Sequence, residues 1–289
     1  MRAAIIVVTH NRREDLARAL RSCLQQHGSP EILVVDDASD DGSGEMVCRE
    51  FPGVRYIRDD TSRGYVVQRN RAAELTDADI LVSIDDDAEF SDPRLVAATL
   101  RDFEVNPSIA AVAIPYSEPP CHEDVRQTAP DGERCWIAAQ FIGTAYAVRR
   151  KVFVSLGGFD SSLVHQGEER DFCLRLLVAG YHVRLGTSSP IIHHRSSARD
   201  KTRMAYFGRR NDLWFIWRHV PFPQMIYRMA ASTLAGFWHG LRNHEIVPTF
   251  RGIVTGFVAI CFGKVRRQPV ASETYNHFRR LREHGPTAL

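Results

Sequence analysis

Residues 78–90 read ADILVSIDDDAEF, a largely apolar run that stops in three adjacent carboxylates, Asp85, Asp86 and Asp87. A short apolar run of this kind is a buried strand, and the acids mark where it leaves the core. If the chain stays extended, side-chain alternation sets Asp85 and Asp87 on one side and Asp86 on the other. Two carboxylates converging at a strand end repel each other unless a cation lies between them. Oxygen ligands suit Mg²⁺ or Mn²⁺, and such an ion neutralises a departing diphosphate. The plain alternative is a solvated acidic turn ahead of the next helix, for which Asp92 is a better cap than any of the three.

Working outward, the same grammar repeats. AAIIVVTH, EILVVDDAS, VRYIRDD and IAAVAIPY read as further strands. REDLARALRSCLQQ, SGEMVCREF, GYVVQRNRAAELT and PRLVAATLRDFEVN read as the helices between them, the last with Pro93 in its first turn. Strand–helix alternation predicts an α/β fold, a mainly parallel sheet with helices on both faces. Ligands of such sheets bind at the carboxyl ends of the strands. THN, DDAS and DDD close three of these strands and therefore collect on one edge. Residues 116–135 are polar and proline-containing and predict a long loop. CWIAAQFIGTAYAVRRKVFVSLGGFD predicts a strand then a helix, GEERDFCLRLLVAGYHVRLG a helix then a strand, and SSPIIHHRSS a short strand ending in two histidines. From about residue 203 the pattern is helical, giving a division into residues 1–202 and a helical extension over 203–289.

Charge divides the chain at nearly the same point. Residues 1–194 hold 21 Lys+Arg against 30 Asp+Glu, and residues 195–289 hold 16 against 5. An acidic front suits a metal ion and a basic tail suits anions. The six cysteines contain no C-x-x-C pair, which points to reduced thiols and a cytoplasmic setting. The N-terminus lacks the pattern of a signal peptide, and no run approaches the roughly 18 apolar residues of a spanning helix. In the tail, QMIYRMAASTLAGFWHGLRNHEI and FRGIVTGFVAICFGKVRRQ mix apolar, aromatic and basic residues. Two readings stand side by side: helices lying in an anionic membrane interface on the inner face of the plasma membrane, or a helical subdomain packed on the core or in a homo-oligomer. No nucleic-acid module is recognisable in the basic tail.

Three more stretches carry chemistry. Asp36 and Asp37 end the second strand, where an aspartate can accept from a base or ribose, although Asp40, Asp41 and Ser43 equally fit a turn series. Glu168 and Glu169 stand at a helix start, where the dipole stabilises a carboxylate and a general base could face a pocket. His193 and His194 end a strand and could complete a metal site or simply bond at an edge.

In order and spacing these motifs resemble the family 2 glycosyltransferases of GT-A, Rossmann-like fold, over roughly residues 3–215. IIVVTHNRREDLARALRSCLQQ resembles the family's opening strand and helix, and ILVVDDASDDGS its nucleotide-binding strand. RGYVVQRNRA, with Gly64, Arg69 and Asn70, is similar to the following segment, and SIDDDAEF to the D-x-D region. FIGTAYAVRRKVFVSLGGFD resembles the acceptor side, GEERDFCLRLLVAGYHV the base motif, and IIHH the terminal histidine. YFGRRNDLWFIWRHVP resembles the helix after the catalytic domain in bacterial, rhamnosyltransferase-like members.

The resemblance implies inverting, metal-dependent transfer from a nucleotide-diphosphate sugar to a glycan or lipid-linked acceptor. It places Thr9, Asn11 and Asp37 at the nucleoside, with Arg69, Asn70, Asp85 and Asp86 also on the donor. Asp85 and Asp87 would serve an Mn²⁺ or Mg²⁺ ion and the diphosphate, Asp85 nearer the ribose. His193 would approach the metal, with His194 its substitute. The base falls on Glu169, where the family usually has Asp, and Glu168 is its rival. DDTSRGYVVQRNRA also departs from the family, having one glycine where a Gly- and Asn-rich run is usual.

Other classes fit less well. A sugar nucleotidylyltransferase needs a Gly-rich, Arg-containing loop after the first strand, where this chain has THNRRED. A phosphatase with an aspartyl nucleophile would carry its D-x-D on the first strand. A non-catalytic sugar-nucleotide-binding protein with a degenerate site is the remaining alternative.

Overall fold

The computed structural model describes residues 1–119, 122–194 and 200–289. In chain order the elements are β1 (Ala3–Thr9), α1 (Arg13–Leu24), β2 (Glu31–Asp36), α2 (Ser43–Glu50), β3 (Arg55–Arg58), α3 (Tyr65–Glu74), β4 (Ile80–Asp85), β5 (Ala88–Phe90), α4 (Leu95–Asp102), β6 (Ile109–Ala113), β7 (Tyr116–Glu118) and β8 (His122–Arg126). They continue with β9 (Trp136–Ala138), β10 (Ala145–Arg149), α5 (Arg150–Ser155), α6 (Glu168–Val178), β11 (His182–Leu185), β12 (Ile191–His193), α7 (Lys201–His219), α8 (Gln224–Arg242), α9 (Ile246–Cys261), α10 (Ser272–Glu283) and β13 (Thr287–Ala288).

The main sheet runs β13-β9-β11-β6-β10-β4-β1-β2-β3. β1 lies parallel between β2 and β4, with Ile5 opposite Ile32 on one side and Val82 on the other. Ala4, Ile5, Val7, Leu33, Val34, Ile80 and Val82 are almost wholly buried, as expected of strands covered on both faces. β10 is the exception in the parallel centre. It runs antiparallel between β4 and β6, with Ala145 opposite Ile84. Its first residues therefore lie beside the last residues of β4.

A second sheet, β5-β12-β7-β8, stands at the same edge. β12 pairs antiparallel with β5, His193 opposite Ala88, and parallel with β7. This sheet revises two expectations. Residues 116–135 are not a single loop, because β7 and β8 form within them; their polar sequence reflects a small edge sheet rather than irregular chain. Asp86 and Asp87 do not continue β4 either. They form the turn from β4 into β5, so alternation does not set their directions. Pro93 also precedes α4 by two residues instead of lying in its first turn. The stretch SSPIIHHRSS supplies β12, while Arg195 to Ala198 and Arg199 lie outside the described residues.

The C-terminal helices are tied to this body. α7 packs on α9 and α8, α10 packs on α6 and β9, and β13 adds an edge strand to β9. Phe278 and Leu281 of α10 belong to the main core. Among the described residues Cys23, Cys48, Cys135, Cys173 and Cys261 are unpaired.

Candidate active site

The carboxyl ends of β1, β2 and β4, the start of β10 and the ends of β7 and β12 meet at one edge. Asp85, the last residue of β4, accepts from Arg69 Nη2 at 2.7 Å and from the Thr144 hydroxyl at 2.9 Å. Asp87 accepts from Arg12 Nη1 at 2.6 Å and lies 3.2 Å from His193 Nε2. His193 Nε2 is also 4.0 Å from Asp85, and its Nδ1 is 2.8 Å from Glu118 of β7. Asp85, Asp87 and His193 present ligand atoms all within 4.8 Å of one another. A carboxylate behind a ligating imidazole fixes the ring and its tautomer, and Glu118 holds that position. His194 faces elsewhere, with Nε2 2.5 Å from Glu89. Two carboxylates and an imidazole, backed in this way, are a donor set that fits a divalent cation.

Repulsion within the triplet is met by the chain's own groups. Arg69 lies on Asp85, and Arg12 on Asp87 with Asp86 3.5 Å away. Asp86 is buried, shares the Arg12 guanidinium with Asp87 and accepts from the Thr9 hydroxyl at 2.8 Å. Burial pushes its carboxyl up to about 7, against the pull of Arg12. The crowded charges therefore do not by themselves require a metal; the converging geometry of Asp85, Asp87 and His193 is what supports one. Burial opposes charge on His193, but the bond to Asp87, the charges of Asp87 and Asp85 and the bond to Glu118 together raise its pKa.

Arg69 links this cluster to the glutamates. It is buried against Tyr65, its carbon 4.9 Å from the ring centre, donates to the Gly143 carbonyl at 3.0 Å and approaches Glu168 at 3.9 Å. Glu168 and Glu169 open α6 behind Gly167, whose φ of 92° suits glycine. Glu168 is fully buried and accepts from the Tyr65 hydroxyl at 2.7 Å. Glu169 is partly exposed and accepts from the Gly143 amide at 3.1 Å. A Cβ on Gly143 would stand 2.5 Å from Glu169 Oε1, so the backbone must come this close. Burial, then the neighbouring Glu168, pushes Glu169 up to about 8, while Arg69 pulls the other way. Burial also raises Glu168.

The remaining expected residues occupy the donor-side strands in different ways. Asn11, at φ 53°, donates its amide to Ser39 and accepts from the Asp40 amide, tying the ends of β1 and β2 together. Asp37 accepts from Ser62, the Arg63 and Gly64 amides and Gln68, all at 2.6–2.9 Å. Burial alone would raise its pKa, but those bonds hold it below the usual range. Its carboxylate thus shapes the 62–68 segment. Asn70 is turned to the turn after α5, donating to the Phe159 carbonyl and accepting from its amide at 2.8 Å each; it is not brought to the acidic cluster. A separate open cleft of about 480 Å³, lined in part by Asn70, Asp160, Arg175 and Arg218, contains neither the acidic trio nor the glutamate pair.

Sequence reasoning missed Arg12, Tyr65, Glu118, Gly143 and Thr144. Arg12, Tyr65, Gly143 and Thr144 lie inside stretches already singled out, as neighbours of residues that were chosen. Glu118 sat in the stretch read as loop, and only its pairing beside β12 gives it meaning.

A model described as glycosyl transferase family 2 matches residues 4–157 of the chain. The chain belongs to glycosyl transferase family 2. Within the family, it is 24% identical over 205 residues to a glucosyl-dolichyl phosphate glucuronosyltransferase of Haloferax volcanii, covering 61% of this chain and 63% of the relative. It is 31% identical over 96 residues to WcaA of Escherichia coli, which carries the name of a colanic acid biosynthesis glycosyl transferase, covering 32% of this chain and 34% of the relative. The matches therefore span less than two thirds of either relative's length.

Solved structures show the same fold. The mannosyltransferase PcManGT of Pyrobaculum calidifontis, in complex with GDP-Man and Mn²⁺, superposes with a TM-score of 0.60 at 18% identity, over 92% of this chain and 76% of that one. TarS 1-349 of S. aureus, in complex with UDP-GlcNAc, gives 0.65 at 13% identity, over 92% and 82%. The family 2 chain thus has the expected GT-A architecture, a mostly parallel sheet followed by a helical C-terminal region.

Proposed function

We propose that this chain transfers a sugar from a nucleotide-diphosphate donor to a hydroxyl of a glycan or lipid-linked acceptor, with inversion at the anomeric carbon. The observation that carries the reading is the pairing of two centres across Arg69: the Asp85–Asp87–His193 trio and the Glu169 carboxylate. The donor lies over the ends of β1, β2 and β4, near Thr9, Asn11 and the segment shaped by Asp37. A divalent cation, Mn²⁺ or Mg²⁺, would be held by Asp85, Asp87 and His193 and would supply charge neutralisation for the leaving diphosphate. Arg12, one-third exposed beside Asp87, adds a positive group on the same side.

Glu169 is the base. It is the partly exposed member of the pair, its carboxylate is oriented by the Gly143 amide, and a raised pKa brings its basicity toward the working pH. It takes the proton of the acceptor hydroxyl as that oxygen attacks the anomeric carbon opposite the leaving group. Glu168 positions Tyr65 and Arg69 from a fully buried site. Arg210 and Asn211 of the Arg-Asn helix bind carbonyls of the 162–166 loop. They serve the loop before α6, so the resemblance to rhamnosyl-transferring members carries no donor contact here.

The test is calorimetric titration with UDP, dTDP and GDP, each with Mn²⁺ or with chelator. Binding of one nucleotide in the presence of metal is expected, lost in Asp87→Ala while the fold is retained. Metal-independent binding that survives this substitution would refute the assignment.

A further inference from the structure

The helices α8 and α9 distribute their residues in reverse of a soluble helix pair. They run antiparallel through the short turn after Arg242, with Gly240 against Thr249 and Gly236 against Ile253. Their inner faces pack Met229 and Ile253 on Leu213 of α7, with glycines where the backbones come closest. A Cβ on Gly252 would stand 2.3 Å from the Tyr206 carbonyl oxygen of α7, and one on Gly256 would stand 2.9 Å from Leu213. Many of the large apolar residues point outward. On α8, Tyr227, Leu234, Trp238 and Leu241 form an exposed stripe at helical spacing, Leu234 and Trp238 each 70% exposed. On α9, Val247, Phe250, Val254 and Phe257 form its counterpart. Close backbone packing through glycine with large side chains turned out is how helices pack where their surroundings are lipid. No helix among the described residues is long and apolar enough to cross a bilayer.

We propose that the outer face of α8 and α9 docks in the plane of an anionic lipid bilayer. Charge selects this occupant over a second copy of the chain. Residues 222–267 hold six Lys and Arg residues and one acid, Glu245. Arg242 at the tip of the pair, Arg251 along it and Lys264 and Arg266 at its base are all exposed. A two-fold contact through this face would set basic rim against basic rim, with Glu245 as the one acid to offset six basic residues on each copy. Anionic headgroups complement that rim, at about 1 kcal/mol for each Lys or Arg near the surface, while Trp238 and Tyr227 suit the headgroup level.

The face is also joined to the site. α9 packs on α7, and Asn211 of α7 donates to the Leu163, His165 and Gln166 carbonyls, two residues before Glu168. A docked chain would meet a lipid-linked acceptor at the bilayer, which deepens the lipid-linked branch of the proposed reaction and rests on it; the docking itself does not.

The experiment is flotation of the full chain with phosphatidylcholine vesicles, with and without phosphatidylglycerol. The chain should float with the anionic vesicles, less so at high salt. Leu234→Ser/Trp238→Ser should weaken this at least tenfold while leaving the thermal melt and nucleotide binding unchanged, since both side chains are exposed. Failure to float with anionic vesicles, or equal flotation of the double variant, overturns the proposal. So does a dimer in sedimentation velocity that the double variant abolishes, which would make the face an interface between copies. Nucleotide titration of the same samples reports separately on the proposed reaction.

Discussion

Raising the pH is the sharpest probe of the base. Glu169 has its carboxyl pushed up to about 8 by burial and by Glu168. A general base must be ionised to act, so activity rises with pH on this limb. A carboxyl raised in this way is mostly protonated at pH 6 and ionises as the pH climbs, so kcat/KM should rise at least about tenfold between pH 6 and 8. The assay is initial-rate kinetics across pH 5.5 to 9 at fixed metal and subsaturating acceptor. Glu168→Gln removes the second cause of the shift and should move the limb to lower pH. Glu169→Gln should lower kcat by about 10²- to 10⁴-fold, the usual contribution of a general base. A flat profile from pH 6 to 9 in the wild-type protein, or a limb that stays in place in Glu168→Gln, would refute the reasoning. Linkage gives a second reading of the same shift. The folded state holds more protons than the unfolded one between the ordinary glutamate pKa and about 8, so this group's contribution to stability falls as pH rises through that window.

Three substitutions follow from contacts around the pair of centres. Arg12→Gln removes a charge-assisted bond to Asp87 worth about 1.5 kcal/mol, which an incoming cation must otherwise displace, so Mn²⁺ affinity measured without nucleotide should tighten about tenfold; unchanged or weaker affinity would count against the competition. Gly143→Ala places a Cβ 2.5 Å from Glu169 Oε1 and 2.8 Å from Arg69 Nη1, both ends of flexible side chains. kcat should therefore fall about a hundredfold with a nearly unchanged melt, because a catalytic group displaced by about 1 Å costs that much. Asn211→Ala strips the shared donor from three carbonyls, a loss of roughly 2–4 kcal/mol. Differential scanning calorimetry should show a melting point lower by about 3–7 °C for a chain of this size, and an unchanged melt would remove the anchoring role.

The parallel centre of the fold was legible because its strands are buried on both faces and read as unbroken apolar runs, AAIIVV and ILVV most plainly. The edge sheet was not. β7 and β12 are three-residue strands whose partners lie far along the chain, and no local period marks them. The same contrast holds in the site. Asp85, Asp87, His193 and Glu169 could be picked out because strand ends and helix starts expose such residues. Thr9 and Asp37 could be placed at the correct edge, but nothing local tells whether such a group faces a ligand or its own chain. Thr9 bonds to Asp86, and Asp37 to four donors of the 62–68 segment. Asn70 likewise looked like a donor ligand and is a clamp on the Phe159 turn. Arg12 and Glu118 act through partners 75 residues away, Asp87 and His193 respectively, a distance over which sequence spacing carries no signal.

The reversed direction of β10 has a consequence for how this site can change. Residues on the parallel strands reach the edge as the chain leaves the sheet, so in the proposed reaction altering the loops behind them would alter the grip on the donor. Gly143 and Thr144 reach it as the chain enters β10, at the end of the 139–144 connection from β9. In the proposed reaction, changes at the exposed Ile142 and its neighbours just before Gly143 would remodel the acceptor's approach to Glu169, while β9 keeps its place in the sheet and Ala145 stays in register with Ile84. In the proposed reaction the fold thus separates two inheritable variables, what is given and what receives it, on opposite sides of one strand.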